Sequence, residues 1–358
     1  MKLKGKGISV LIISIMLFSM IGSCAYAVNS SDDDNESNII YVNPHGNDAW
    51  NGLAPEFDNE TGDGPKKTIK SALNEVSYEG TIKLAPGTYH ENEINVESSV
   101  TIEGSGATNT KIDGKRGQVF NIVSEDYCVT TATIQDLSIE NAQSTEKGSA
   151  IYNSENCELT IKNCNFKNNY KSGAIENNGQ VLIDNCNFDQ NKASCGGALS
   201  NCGEMTIKNS DFDNNQAISY GGAIYNSDNL KIEDCEFSGN HAGIGEDPEY
   251  SSSGGAIYNE GSLDIKKSLL SDNSASDGGA IYSCNALYVE ECNLKSNYAT
   301  HGGAIYTTGD YMEIQNNRFN NNYAEEYGGA IATISEESIS NNKFKNNEPE
   351  DIKIIDMV

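Results

Sequence analysis

A six-residue motif, Gly-Gly-Ala-Ile-Tyr-Asn, limits the folds that are open to this chain. It stands at residues 221–226, and related copies with an alanine at the same place recur on both sides of it. These alanines are separated by 24, 24, 25, 33, 24, 24 and 26 residues, a period of 24 with one insertion. Such a period is typical of a solenoid, in which each coil buries its apolar face against its neighbours. The alanines are Ala150, Ala174, Ala198, Ala223, Ala256, Ala280, Ala304 and Ala330.

Five copies carry the same apolar pattern after the alanine, namely those at Ala174, Ala198, Ala223, Ala256 and Ala280. Ile or Leu follows at once, an apolar pair comes seven and nine residues later, and Phe or Leu comes after 14. In the copy at Ala223 these residues are Ile224, Leu230, Ile232 and Phe237. Short alternating runs between turns rich in Gly and Asn predict strands. The sequence therefore predicts an all-β fold, a parallel β-helix with three short strands in each coil of about 24 residues.

Two series of asparagines recur in the same template. One stands three residues after the alanine, and the other stands 17 residues after it. Asn tolerates left-handed turns, and stacked amides can bond to each other and to the turn backbone. The predicted role of both series is therefore a structural ladder. Its residues are Asn177, Asn201, Asn226 and Asn259 in the first series, and Asn191, Asn215 and Asn240 in the second.

A tyrosine often stands two residues after the alanine. If the preceding Ile points inward, alternation along the strand turns the tyrosine outward. Copies in successive coils would then form an exposed aromatic row, which suits sugar rings and protein partners but would also steady the sheet by aromatic pairing. This candidate binding row consists of Tyr152, Tyr225, Tyr258, Tyr282 and Tyr306.

The first 27 residues have the pattern of a secretory signal. Three lysines precede an apolar run at residues 8–21, and a small-residue cleavage site ends at Ala27. A bacterial lipobox, with Cys24 lipidated after cleavage, is the competing interpretation. Both interpretations predict an exported protein, extracellular or on the cell surface, with no transmembrane domain in the mature chain.

The remaining chain divides by composition. Residues 28–38 have almost no apolar side chains and predict a disordered acidic leader. Residues 39–92 predict an N-terminal cap and the first strands, with a short amphipathic capping helix at residues 68–76. The β-helix is predicted over residues 93–347, with regular repeats from about residue 148. Residues 348–358 predict a C-terminal strand or tail.

Charge and cysteine placement exclude several functions. The chain has 24 basic and 52 acidic residues, a net charge of −28, which repels nucleic acid. Cys164, Cys186, Cys235 and Cys292 stand two residues before an inward Phe or Leu, so they are predicted to be buried apolar residues. The cysteine spacing does not match zinc sites, and the sequence assigns no metal site and no cofactor. Calcium binding by its Asp-rich turns would be weak and unspecific.

No catalytic residue is assigned from the sequence. Hydrolysis of a glycan needs converging carboxylates, and elimination needs a base with cations or calcium. The two arginines, Arg116 and Arg318, lie far apart and are predicted in turns, and the four histidines occupy different template positions. A concave acidic cluster with a perturbed carboxyl would favour catalysis.

The repeats resemble a known family. Gly196-Gly197-Ala198-Leu199 followed by a Phe-x-x-Asn run at residues 212–215 resembles the repeat of chlamydial polymorphic outer-membrane proteins. It is also similar to the adhesin-like surface proteins of methanogenic archaea. The stretch from residue 40 to residue 89 resembles the N-terminal segment of those archaeal proteins and of the pectin-lyase-like fold. The match spans about residues 39–347, and it implies a single-stranded right-handed β-helix with an adhesive role at a surface.

The sequence thus favours an adhesin that binds glycans or surface proteins of another cell. The tyrosine row and the inserted loop at residues 241–253 are the candidate contact regions. A polysaccharide lyase or hydrolase is the alternative because enzymes share this fold. A scaffold or spacer that binds nothing is the third hypothesis.

Overall fold

The computed structural model describes residues 38–124, 128–243 and 251–355. The predicted signal at residues 1–27, Cys24 and all but the last residue of the predicted leader lie outside the described residues. So do residues 244–250 of the inserted loop and residues 356–358 of the predicted tail. Within the described part of the chain, no helix has both the length and the apolar character that a membrane crossing requires.

Sheet 1 is the first of three parallel sheets that run along the described chain. It has 12 strands, and each strand pairs with its equivalent in the next coil. Its strands are Ile39–Val42, Gly80–Leu84, Val100–Glu103, Thr130–Gln135, Cys157–Lys162, Gln180–Asp184, Glu204–Lys208, Asn229–Glu233, Ser262–Lys266, Ala286–Glu290, Met312–Gln315 and Ile339–Ser340. The solenoid sheets therefore start at Ile39, ahead of residue 93, because Ile39–Val42 already pairs in parallel with Gly80–Leu84.

Sheet 2 follows sheet 1 in each coil and has 11 described strands. From Asn165–Lys167 onward, its strands carry the inward Phe or Leu of the repeat at their centre. The strands of sheet 2 are Gly87–Tyr89, Thr110–Asp113, Ser138–Glu140, Asn165–Lys167, Asn187–Asp189, Asp211–Asp213, Glu236–Ser238, Leu269–Ser271, Asn293–Lys295, Arg318–Asn320 and Lys343–Lys345.

Sheet 3 closes the coil and also has 11 described strands. Its regular strands follow the Gly-Gly-Ala motif. They are Ile94–Val96, Phe120–Ile122, Ile151–Asn153, Ile175–Asn177, Leu199–Asn201, Ile224–Asn226, Ile257–Asn259, Ile281–Ser283, Ile305–Thr307, Ile331–Thr333 and Ile352–Ile354. The described chain is thus an all-β parallel solenoid, as the period of the sequence predicted.

A fourth set of short strands lies between sheets 2 and 3. The predicted coil with three strands did not include them. They form where the segment before the Gly-Gly corner is extended enough to pair with the next coil. These strands are Tyr170–Lys171, Lys192–Cys195, Gln216–Tyr220 and His241–Ala242 in one sheet, and Tyr298–His301 and Tyr323–Tyr327 in another.

The N-terminal helix covers Ile69–Leu73, which is shorter than the predicted range. The side-chain oxygen of Thr68 caps its first turn by accepting a hydrogen bond from the backbone N–H of Ser71. Ile69 and Ala72 are fully buried and belong to the hydrophobic core at this end. The helix ends at Asn74, and Val76 still packs against the core although it lies beyond the helix.

The core consists of columns of identical or similar side chains. Phe166, Phe188, Phe212 and Phe237 stack with ring centroids 4.8, 4.7 and 4.6 Å apart, which matches the spacing of paired strands. The predicted inward cysteines are buried as expected. Their thiols bond to backbone carbonyl oxygens, as Cys164 Sγ does to Lys162 at 3.2 Å.

The Gly-Gly corners need glycine for two different reasons. Gly221 has a φ of 62°, in the left-handed region that glycine adopts without strain. Gly222 has an ordinary φ, but a Cβ there would lie 2.1 Å from the carbonyl oxygen of Gly255 in the next coil. The first glycine makes the turn, and the second lets the coils approach each other.

The two asparagine series form continuous hydrogen-bond ladders in the interior. Asn177 Nδ2 donates to Asn201 Oδ1 at 2.8 Å, and Asn201 Nδ2 donates to Asn226 Oδ1 at 2.8 Å. The same ladder begins at Asn153 and continues from Asn259 to a serine. The second ladder also continues beyond the predicted members; it runs through Asn169, Asn191, Asn215, Asn240, Asn273, Asn297, Asn322 and Asn347. Because these amides are buried, each ladder satisfies polar groups that water does not reach.

We expect Asn215→Ala to destabilise the fold strongly. Asn215 Oδ1 accepts two hydrogen bonds from Asn191, and its Nδ2 donates to Phe188 O at 2.8 Å and to Asn240 Oδ1 at 3.1 Å. Alanine would leave these buried partners unsatisfied, at a cost of about 2–4 kcal/mol. Thermal and chemical denaturation would measure the loss. Asn187→Ala, which removes an outward amide of the preceding coil, is the matched control, and equal melting of the two variants would contradict a stabilising ladder.

Candidate functional site

The tyrosine row lies on the outer surface of sheet 3. In the strand Ile224–Asn226, the Ile and Asn side chains are buried, so alternation turns the central Tyr225 outward. Tyr225, Tyr258, Tyr282 and Tyr306 are direct register partners in four successive coils. The strand geometry therefore brings these four rings together.

Tyr152 stands apart from the other four rings. The register places Glu176 and Ser200 between Tyr152 and Tyr225, so three coil steps of about 4.8 Å separate these tyrosines. The Nζ atom of Lys147 lies 4.2 Å from the centre of the Tyr152 ring, a cation–π contact. The structure thus divides the predicted row of five into a group of four and one separate ring.

The four rings stack on each other face to face. Their centroids are 5.6 Å apart for Tyr225 and Tyr258, 5.0 Å for Tyr258 and Tyr282, and 5.4 Å for Tyr282 and Tyr306, with planes within 8° of parallel. The strand spacing enforces this stacking. As a result, both faces of the two middle rings, Tyr258 and Tyr282, are covered by neighbouring rings. The expectation of an exposed aromatic row is therefore wrong for the middle of the row, where Tyr258 is only 8% exposed.

Tyr220 covers the row from the side. It ends the short strand Gln216–Tyr220, immediately before the Gly-Gly corner, and its ring centre lies 4.6 Å from that of Tyr258. Tyr220 itself remains exposed. Sequence reasoning did not include this ring because it lies outside the strand that carries the row.

Glu260 binds the hydroxyl edge of the row. Its carboxylate accepts hydrogen bonds from Tyr225 Oη at 2.7 Å and from Tyr258 Oη at 3.0 Å. Burial raises the pKa of both hydroxyls above the usual range, and the hydrogen bond to the Glu260 carboxylate raises it further. Glu260 follows the strand Ile257–Asn259 directly, so the turn holds its carboxylate beside the rings.

A second polar cluster lies near Tyr306. His301 Nδ1 is 2.6 Å from Asp277 Oδ1, and His301 Nε2 is 3.2 Å from Glu326 Oε2. The imidazole stacks on Tyr327 with ring centres 4.4 Å apart. Burial raises the pKa of Tyr306, which also shares a hydrogen bond with Tyr327.

This cluster was missed from the sequence, although a signal was present. Asp277, His301 and Tyr327 each stand immediately before a Gly-Gly pair, and the structure pairs Asp277 with His301 and His301 with Tyr327. Alignment on the residue before Gly-Gly would have placed them in one column. The four histidines occupy different template positions, so a comparison among the histidines alone does not identify this column.

Tyr225 is the first ring of the group of four, and the face that does not stack on Tyr258 has a different environment. Ser200, a small and partly exposed residue, occupies the row position one coil before Tyr225. Glu176 comes next, and burial raises the pKa of its carboxyl although Gly148 N–H and Asn178 donate to it. Within the described residues, no second ring stacks on the Tyr225 face toward Ser200.

The remaining candidate residues lie elsewhere. Arg116 lies in a turn as predicted, but Arg318 begins a strand of sheet 2, because its extended segment pairs with the next coil. Residues 244–250 of the inserted loop are outside the described chain, and Ser253 pairs with Tyr220 beside the row. The described residues contain no group of three or more His, Cys, Asp or Glu side chains that could hold a metal ion.

Two family descriptions match the sequence. Residues 94–247 match the right-handed beta helix region, and residues 267–284 match the Chlamydia polymorphic membrane protein repeat. The fold is a right-handed parallel β-helix. The predicted handedness and the resemblance to this type of repeat are thereby confirmed.

Solved structures have the same fold at low sequence identity. A rhamnogalacturonan lyase is 11% identical, with a TM-score of 0.52 over 88% of this chain and 86% of the lyase. A lacto-N-biosidase from Eubacterium ramulus is 13% identical, with a TM-score of 0.48 over 89% of this chain and 68% of that one. At these identities the likeness shows the β-helix fold alone. Among curated protein sequences, none matches this chain.

We expect the row to lose stability at alkaline pH. Unfolding would return the raised hydroxyl pKa values of Tyr225 and Tyr258 to about 10, so the neutral hydroxyls stabilise the fold fully below that pH. The contribution is lost as the pH rises from about 10 toward the higher pKa values of the folded state. Tyr258→Phe keeps the ring, removes one ionising group and should flatten this dependence.

Denaturation as a function of pH, with phenolate absorbance as a second readout, would measure the effect. Tyr311→Phe removes the hydroxyl of an exposed ring and serves as the control. A parent protein with constant stability up to pH 11, about one unit above the ordinary tyrosine pKa, would contradict the expectation.

Proposed function

We propose that this surface-type β-helix protein is an extracellular adhesin, and that it binds a glycan on sheet 3 beside Tyr225. The match to a membrane-protein repeat supports a surface location. The export signal predicted at residues 1–27 supports the extracellular side. One observation carries the binding proposal: the stack of four rings ends at Tyr225, whose face toward Ser200 has no aromatic partner among the described residues.

A sugar ring fits the position that the next tyrosine would occupy. Successive positions of the row are about 4.8 Å apart, which is close to the distance at which a pyranose stacks on an aromatic ring. In this chain the small Ser200 side chain occupies that position of the row. Stacked rings inside the row cannot take a sugar in the same way, because Tyr258 and Tyr282 have neighbours on both faces.

The charges beside this position favour a neutral glycan. Glu260 borders the Tyr225 hydroxyl, and Glu176 lies one coil beyond Ser200. Carboxylates accept hydrogen bonds from sugar hydroxyls, whereas an acidic sugar would be repelled by them and by the net charge of −28. A few polar groups around an apolar face are typical of small-ligand sites.

We expect Ser200→Tyr to abolish glycan binding without unfolding the protein. The new ring would extend the stack by one member and occupy the place of the sugar. Aromatic pairing across parallel strands stabilises them by less than about 1 kcal/mol, so the melting temperature should stay the same or rise. A glycan array followed by titration calorimetry on the bound sugars would measure binding, with Ser200→Thr as the matched control.

A second variant tests the row itself. Changing Tyr225, Tyr258 and Tyr282 together to Thr removes the rings and keeps strand propensity. Glycan or cell binding should be lost. If this variant melts much earlier but binds as the parent does, or if Ser200→Tyr binds normally, the row is structural and the proposal is wrong.

The alternative function is cleavage of a polysaccharide, favoured by the shared fold with the rhamnogalacturonan lyase. We expect no glycan-cleaving activity. The backbone positions of Glu176 and Glu260 are three coil steps apart, about 14 Å along the axis, which does not favour the carboxyl separation of about 5–9.5 Å found in hydrolases. Asp277 and Glu326 lie on opposite sides of His301, which binds both of them.

Incubation of the purified protein with neutral and acidic polysaccharides, with calcium present, would test this expectation. Release of reducing ends or of unsaturated products would contradict it. A Glu260→Gln variant should leave such a release unchanged if it came from a contaminant.

A further inference from the structure

The outer surface of sheet 2 carries separate acidic and basic patches. Each strand there buries its central residue and turns the residues on either side of it outward. The acidic patch lies in three successive coils, and the basic patch lies in three others farther along the axis. The acidic patch consists of Asp189, Asp211, Asp213 and Glu236, and the basic patch consists of Lys295, Arg318, Lys343 and Lys345.

Within each patch, like charges are direct neighbours. The register pairs Asp211 with Glu236 in the acidic patch and Arg318 with Lys343 in the basic patch. Like charges opposite each other on paired strands destabilise a sheet. Burial, followed by repulsion from Asp211, Glu236 and Asp189, raises the pKa of the Asp213 carboxyl.

Nothing within the described chain neutralises most of these charges. Asp189 forms an ion pair with Lys167 at 2.7 Å, and the other seven residues form none among the described residues. Opposite charges on a second molecule would remove the repulsion in both patches at once.

The two patches are arranged symmetrically about one coil. The strand Leu269–Ser271 is neutral and lies between them. Three coils before it carry the acidic patch, in the strands Asn187–Asp189, Asp211–Asp213 and Glu236–Ser238. Three coils after it carry the basic patch, in the strands Asn293–Lys295, Arg318–Asn320 and Lys343–Lys345.

We propose that sheet 2 is the interface of a homodimer in which two copies pack face to face with antiparallel axes. The two-fold axis runs parallel to the strands and lies between the two copies, in front of Leu269. A rotation about this axis inverts the order of the coils and keeps the position along each strand. Asp211 then faces Arg318 of the second copy, Asp189 faces Lys345, and Leu269 faces its own equivalent. Such self-complementarity is what an isologous interface requires.

The association is weak in dilute solution. The sheet is three residues wide, so one face over seven coils covers only roughly 300–400 Å², below the ~800 Å² per partner of a stable complex. The ion pairs are at the surface and worth less than about 1 kcal/mol each, and salt screens them. On a crowded surface, the high effective concentration would populate the dimer. This face is distinct from sheet 3, so the inference does not depend on the proposed glycan site.

Two charge-reversed variants of the full chain test the interface. The first combines Asp189→Lys with Asp211→Lys, and the second combines Arg318→Glu with Lys345→Glu. The four residues of the two facing pairs are then all basic in the first variant and all acidic in the second, so neither variant should self-associate. An equimolar mixture should form a heterodimer, because the residues at positions 211 and 318, and those at positions 189 and 345, then face each other with opposite charges. Sedimentation velocity at low salt, up to roughly 1 mM protein, detects a dissociation constant of that order.

A matched pair of variants on sheet 1 controls for net charge. Glu158→Lys with Glu204→Lys, and Lys162→Glu with Lys208→Glu, change exposed residues by the same total charge. Each of these variants should dimerise to the same extent as the parent, and mixing the two should not increase the extent of dimer formation. A parent that stays monomeric over the whole range would overturn the proposal. Sheet 2 variants that each dimerise alone would also overturn it. So would sheet 1 variants whose dimer formation increases on mixing as much as that of the sheet 2 variants.

Discussion

The hydrogen bonds between successive coils are the constraint on which this structure depends. Parallel pairing holds equivalent residues about 4.8 Å apart, so each side chain has a copy of its own template position above and below it. A residue type therefore stabilises an interior column only if its side chain packs or hydrogen-bonds well against a copy of itself. Phe stacks at 4.6–4.8 Å, and Asn bonds amide to amide at 2.7–3.1 Å, so both recur in the interior.

The same constraint explains how much the sequence predicted. Interior columns repeat because they must match themselves, so Ile224, Phe237 and the Asn ladders could be assigned from periodicity alone. The fold class and the inward cysteines followed from the same argument. The N-terminal coils are less regular, and the start of the solenoid at Ile39 could not be read from a period that begins near residue 148.

The candidate site was less predictable because exterior columns are free to change. Ser200 and Glu176 interrupt the tyrosine series, and His301 lies between Asp277 and Tyr327 in a column of mixed residue types. Alternation along the strand correctly predicted that the side chains of Tyr225 and Tyr258 lie on the outer side of sheet 3. It could not show that ring stacking and Tyr220 would cover the faces of Tyr258, because those contacts depend on the spacing and on a strand outside the template.

Both asparagine ladders run in one direction along the axis. Each amide nitrogen donates to the coil that follows in sequence, and each amide oxygen accepts from the coil before it, as at Asn177 and Asn201. A whole coil of 24 residues could therefore be duplicated or deleted in the interior and every amide would still find a partner. A deletion of one residue inside a strand would break the register, whereas the segments between the strands vary in length, and both ladders cross a step of 33 residues intact. The unit of evolutionary change in such a chain is the complete coil, and its length can vary in these steps while the interior stays the same.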